Sequence, residues 1–126
     1  VYNASAASVL GLGAATAALG AQAEASRSAV QLTFKAIDKA ISTGEGLNKV
    51  LELTNLTQAE LASQFRKDTS VVFLKFVEGL KNAGEEGKNL NNVLSEVGIN
   101  QIRTTAVVGT LAANYEILRS ALAQSS

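Results

Sequence analysis

Cysteine, histidine, proline, methionine and tryptophan are all absent from this chain of 126 residues. Without Cys there is no disulfide framework, no thiolate metal site and no thiol nucleophile. With His missing as well, zinc, haem and iron–sulfur centres lose their usual donors, and we expect no metal and no cofactor. A complete lack of Pro is unusual against an average usage of about 5%. Aromatic residues are sparse at 5%, and Lys+Arg balance Asp+Glu at 11 each, for a net charge of zero. That balance removes the basic footprint of a general DNA or RNA binder. What is present is apolar: 47% hydrophobic residues, enough for one buried core in a chain of single-domain length. Composition alone reads as a soluble helical domain and names no function.

The missing Met also bears on what the sequence is. A translated chain starts with Met, and Val1-Tyr2-Asn3 reads as neither a tag nor the end of a leader. We therefore expect an excerpt from a much longer chain, carrying a single helical domain over residues 1–126. No basic region precedes the first apolar run, so a signal peptide is not expected.

Charge is distributed unevenly. Residues 1–23 carry none, and every charged side chain lies between Glu24 and Arg119. The uncharged tract is mostly Ala, Gly, Ser and Thr, with Val9, Leu10, Leu12 and Leu19 as its large apolar residues. Its length approaches the roughly 20 residues of a membrane span, but small residues gain little from lipid. A helix buried through close packing of small side chains is the favoured reading. A disordered flank and a membrane-active helix are the alternatives.

From Glu24 onward the period is helical, and no segment alternates as a strand would. Ser26 or Ser28 is placed to start a helix whose Val30, Phe34, Ile37 and Ile41 form one stripe, with Lys35, Asp38 and Lys39 off it. Ser42-Thr43-Gly44-Glu45-Gly46 ends it, Gly44 suiting the left-handed position after a helix. A short helix follows from Leu47, with Leu47, Val50 and Leu51 inward. Thr57-Gln58-Ala59-Glu60 is a capping box opening a helix with Leu61, Ala62 and Phe65 inward. Asp68 or Ser70 caps the next, striped by Phe73, Phe76, Val77 and Leu80. Residues 84–87 read as a loop, Leu90 to Val97 as a helix closed by Gly98, and two more helices start near Asn100 and Asn114. The expectation is an all-α bundle of six to eight short helices. Its core should comprise Phe34, Ile37, Ile41, Phe65, Phe73, Phe76, Leu80, Leu90, Leu94, Ile102 and Leu118.

Motifs with chemical content fare poorly. Gly11-Leu12-Gly13 lacks the third glycine and the preceding strand of a dinucleotide loop. Gly84-Glu85-Glu86-Gly87-Lys88-Asn89 has two residues between its glycines where a phosphate loop needs four, and its acidic side chains would repel phosphate. Asn3-Ala4-Ser5 and Asn55-Leu56-Thr57 match the glycosylation sequon, but nothing else indicates secretion and Thr57 already serves as a cap. A lone-Glu lytic site at Glu24 would need an aromatic-lined groove, which four Phe and two Tyr already used in helix stripes do not supply. Arg27, Arg66, Arg103 and Arg119 are dispersed rather than clustered. No catalytic residue and no small-molecule substrate is expected.

The order of local signals is more telling than any one of them. Leu53-Thr54-Asn55-Leu56-Thr57-Gln58-Ala59-Glu60-Leu61, continuing through Phe65 and Asp68 to Phe73-Leu74-Lys75-Phe76-Val77-Glu78-Gly79-Leu80, resembles the core region of phage tail tape-measure proteins, the phage-related minor tail proteins. That family reads as a short helix, a Thr-x-x-Glu box, a Phe, an Asp and a helix ending in a Phe-hydrophobic-x-Gly-Leu pattern. Three further stretches are similar to it: the Gly/Ala-rich lead-in Leu19 to Val30, the turn Thr43-Gly44-Glu45-Gly46-Leu47, and Leu94-Ser95-Glu96-Val97-Gly98-Ile99 with Arg103 and Leu111-Ala112. Together they cover roughly residues 10–123. Thr69 departs from the pattern, which often has Pro after the Asp. The resemblance implies a structural segment of the protein that sets tail length, without an active site in this region. It implies tail-assembly chaperone and tail tube proteins as partners, in the virion tail and, during assembly, the host bacterial cytoplasm. A generic helical interaction or membrane-active module is the alternative.

Self-association is a further expectation. An uncharged helix over Ala4 to Ala23 buries little apolar area per residue and would need cover, from its own chain or from the same tract of another copy. Tape-measure proteins are present in several copies per tail, which the resemblance lends in support. A homo-oligomer, most simply a dimer, should make its contact through Leu10, Leu12 and Leu19.

Overall fold

The computed structural model describes the backbone of residues 23–125 and the side chains of residues 27–120. The uncharged tract with Leu10, Leu12 and Leu19, the side chain of Glu24 and the motifs at residues 3–5 and 11–13 lie outside that range. Among the described residues there are seven helices and no strand. They are α1 (Ala23–Thr43), α2 (Leu47–Thr54), α3 (Gln58–Lys67), α4 (Thr69–Glu85), α5 (Leu90–Glu96), α6 (Ile102–Ala113) and α7 (Tyr115–Ser125).

Helix α4 is the hub, packed against each of the other six described helices, while α1 lies along α6. The hub works because α4 presents one broad apolar face: Val72, Phe73, Phe76, Val77, Leu80 and Ala83 are all buried. Phe73 of α4 meets Phe34 of α1 edge-on at 5.7 Å between ring centroids, and Phe34 meets Phe65 of α3 in the same manner at 6.3 Å. Edge-to-face packing sets the positive rim of one ring on the negative face of the next. Three helices are thereby pinned at one point. Ile37, Val50, Leu61, Leu94, Leu111 and Leu118 complete the core with no exposed surface. Hydroxyls buried in it bond back to the preceding turn, as Thr33 does to the Ala29 carbonyl and Thr54 to the Val50 carbonyl, both at 2.8 Å.

The turns follow from local chemistry. Thr57 Oγ1 accepts from the Glu60 N–H at 3.2 Å, and Glu60 Oε1 accepts from the Thr57 N–H at 3.0 Å, closing both halves of the capping box. Asp68 ends α3 and starts α4 as a single-residue joint, its Oδ1 accepting from the N–H groups of Ser70 and Val71. Thr69, where the resembling family often has Pro, is the first residue of α4 and donates its hydroxyl to the Phe65 carbonyl at 3.1 Å. Helix α5 ends in a Schellman arrangement: the Gly98 N–H reaches the Ser95 carbonyl and the Ile99 N–H the Leu94 carbonyl, with Gly98 at φ +87°.

Replacing Thr57 by Ala should cost about 1 kcal/mol of stability. It also bears on Glu60, whose carboxyl is held below the usual glutamate range by the Thr57 backbone N–H and then by the Thr57 side chain. A lowered folded value means the cap contributes fully above the ordinary glutamate range and is lost as pH falls through the lowered value. In an NMR titration, Glu60 should titrate below ordinary glutamate and move part of the way back in Thr57→Ala. An unchanged midpoint in the variant would contradict the capping account.

The structure corrects four sequence expectations. Ile102 was expected in the core and is 87% exposed; Ala106, on the same stripe, is exposed too. Helix α6 instead turns Thr104, Val107, Val108, Leu111 and Ala112 inward. Its only charged residue is Arg103, so apolar side chains occur on both faces and the period alone does not choose between them. Packing against α1 and α4 makes the choice. Secondly, Ile41 and Leu90 are only partly buried, at the margin of the core. Thirdly, α1 is already helical at Ala23, so Ser26 and Ser28 lie within it rather than at its start. Finally, α4 runs through Gly84 to Glu85, two residues into the four-residue loop expected, and the chain turns at Gly87, φ +86°.

Candidate interaction surface

Two features stand out on the described surface, and they are opposite in kind. The first is a chain of alternating charges. Lys49 on α2 contacts Glu52 at 2.8 Å and Glu96 on α5 at 3.0 Å, while Lys88 reaches Glu52 at 3.5 Å and Glu86 at 3.3 Å. Hydrogen bonds from Lys49 hold the Glu52 carboxyl low, and those same bonds to Glu52 and Glu96 hold the Lys49 ammonium high. Each charge is thus matched by its neighbours. Exposed pairs of this kind contribute little to stability, and a row whose charges are paired among themselves offers little to attract a charged ligand.

Gly46 explains why α2 and α5 lie close enough for that row. It sits at φ +73°, and a Cβ there would come within 3.0 Å of the Glu96 carbonyl oxygen and 3.1 Å of the Val97 Cα. The start of α2 is seated against the end of α5, where only a glycine fits.

The second feature is an open groove of about 650 Å³ between α5 and α6. Asn91, Asn92, Ser95, Asn100 and Thr105 supply polar atoms, and Ile99, Ile102, Ala106 and Gly109 the apolar lining. It holds no charged side chain. Three other surface grooves each include charged groups: Glu52, Glu78, Glu86 and Lys88 in one, Lys35, Lys39 and Glu45 in another, Lys49, Glu52 and Glu96 in a third. On the α6 wall, Ile102, Ala106, Gly109 and Ala113 fall at i, i+4, i+7 and i+11, a second apolar stripe turned away from the core.

The residues weighed for chemistry are not assembled into a site. Arg27, Arg66, Arg103 and Arg119 are all exposed, and Arg119 pairs with Glu116 at 3.0 Å. Tyr115 is 7% exposed with Lys81 over its ring, and burial raises its hydroxyl above the usual tyrosine value. Such a phenol stays protonated at neutral pH. Among the described residues no group of three or more Asp or Glu is placed to hold a metal ion, and no helix is long and apolar enough to cross a membrane. No protein-family model, curated protein or solved structure matches the chain.

Since Ile102 projects into solvent, Ile102→Lys should leave the stability of the isolated fold within about 0.5 kcal/mol of the parent. A loss of several kcal/mol on chemical denaturation would return Ile102 to the core and remove the groove from consideration.

Proposed function

We propose that this chain is a structural segment of a phage or prophage tail tape-measure protein, acting by contact in tail assembly and length determination and carrying no catalysis. The reading is supported by the ordered series of motifs that resemble that family's, from the lead-in at Leu19 to Leu111-Ala112. Within the fold these motif residues have mechanical duties. Thr57 and Glu60 close a cap, Asp68 joins two helices, Phe73 and Phe76 fill the core, and Gly79 lies at a helix crossing. A series of residues selected for joints and packing suits a structural part better than a reaction site.

On this reading the partners are tail-assembly chaperone and tail tube proteins, with further copies of the chain meeting through Leu10, Leu12 and Leu19. The segment resides in the virion tail, after assembly in the host bacterial cytoplasm. The exposed Ile102 groove would suit a general helical interaction module equally well, and gene order separates the two. A tail segment is encoded directly downstream of genes for a major tail protein and a tail chaperone. A locus free of tail genes would overturn the proposal.

A further inference from the structure

We infer that the α5–α6 groove is a self-complementary surface that binds the same groove of a second copy of this chain. The inference concerns a face other than the Leu10, Leu12 and Leu19 tract and stands independently of the tail reading.

Three observations carry it. The face has both a knob and a hole: Ile102 projects at 87% exposure from the rim of an open groove of about 650 Å³. In a two-fold arrangement the same patch serves on both subunits, so each Ile102 can enter the groove of the other. The second observation is charge. A neutral lining is poorly matched by the charged grooves elsewhere on the described surface, since an Asp, Glu or Lys brought against it would lose water without gaining a partner. Against its own copy, the neutral lining meets another neutral lining and nothing repels.

The third is Gly109. A glycine inside a helix is unfavourable relative to alanine, and close approach of another backbone is one physical reason for it. Gly79 is the example within this chain, with the Leu53 backbone lying where its Cβ would be. At Gly109 a Cβ would meet nothing within 4 Å. Among the described residues nothing supplies a reason for that glycine. A second α6 crossing at Gly109, with Ala106 and Ala113 on either side, does.

The test is light scattering and sedimentation velocity on the 126-residue chain across a dilution series, with Ile102→Lys, Gly109→Leu and Leu12→Lys as variants. The parent should reach twice 13.0 kDa at high concentration. Ile102→Lys and Gly109→Leu should weaken the dimer at least tenfold. Gly109→Leu should also match or exceed the parent in melting temperature under monomeric conditions, because it improves the helix without entering the core. That pairing separates a lost interface from a lost fold. A parent that stays at 13.0 kDa throughout overturns the inference. So does a dimer that both α6 variants leave intact. Dissociation by Leu12→Lys alone would assign self-association to the uncharged tract, leaving the tail reading untouched.

Discussion

Gly79→Ala should destabilise the domain by about 3 kcal/mol or more, although by helix propensity alone the substitution would be stabilising. Alanine in place of glycine within a helix is worth about 1 kcal/mol in favour of folding. Against that stands the crossing of α4 over α2. A Cβ at position 79 would lie 2.0 Å from the Leu53 carbonyl oxygen and 2.6 Å from its carbonyl carbon, far inside contact distance. The obstacle is main chain and has no rotamer in which to withdraw, so the two helices must separate. Overpacking in a closely fitted interior typically costs about 1–3 kcal/mol and occasionally more. Here the parted helices are the central one and the one it crosses most closely. At roughly 4 °C per kcal/mol, between the values for smaller and larger domains, the melting temperature should fall by about 10 °C or more. A rise in melting temperature would show that propensity governs and that the crossing is looser than described.

The second large effect is expected at Phe34. Its ring is fully buried and is the common neighbour of Phe65 and Phe73. Phe34→Ala removes the body of the ring and both edge contacts, and leaves a cavity where α1, α3 and α4 converge. Losses of about 3–5 kcal/mol are usual for a buried aromatic truncated to Ala, a large part of the stability of an ordinary domain. Phe34→Leu keeps most of the volume and should cost clearly less. Urea denaturation of both variants distinguishes the cases, and equal losses would mean that retained volume contributes little and the ring contacts, lost in both, carry the effect.

These two positions differ in how visible they are in the sequence. Phe34 belongs to a one-sided stripe with Val30 and Ile37, flanked by Lys35, Asp38 and Lys39, so its inward direction follows from the period. The capping residues Thr57 and Asp68 were equally legible, because a cap is made by neighbours a few positions apart. Gly79 was legible only as part of a resemblance. Its physical task depends on Leu53, and sequence spacing says nothing of which helices cross. Ile102 was misread for a related reason: in a helix with one charged residue, tertiary packing alone decides which apolar face is buried. The groove could not be foreseen either, being made from the outer faces of two helices. One signal was present, a glycine at position 109 in the middle of a helix.

The proposed tail role is most directly tested on particles. If the chain is a tape-measure segment as proposed, its in-frame deletion from the encoding gene should give tails that assemble but are shorter by electron microscopy. If the segment is drawn out as continuous helix in the tail, 126 residues at about 1.5 Å each correspond to roughly 190 Å of lost length; a smaller loss would mean that the compact bundle persists in the tail. Tails of unchanged length would contradict the account.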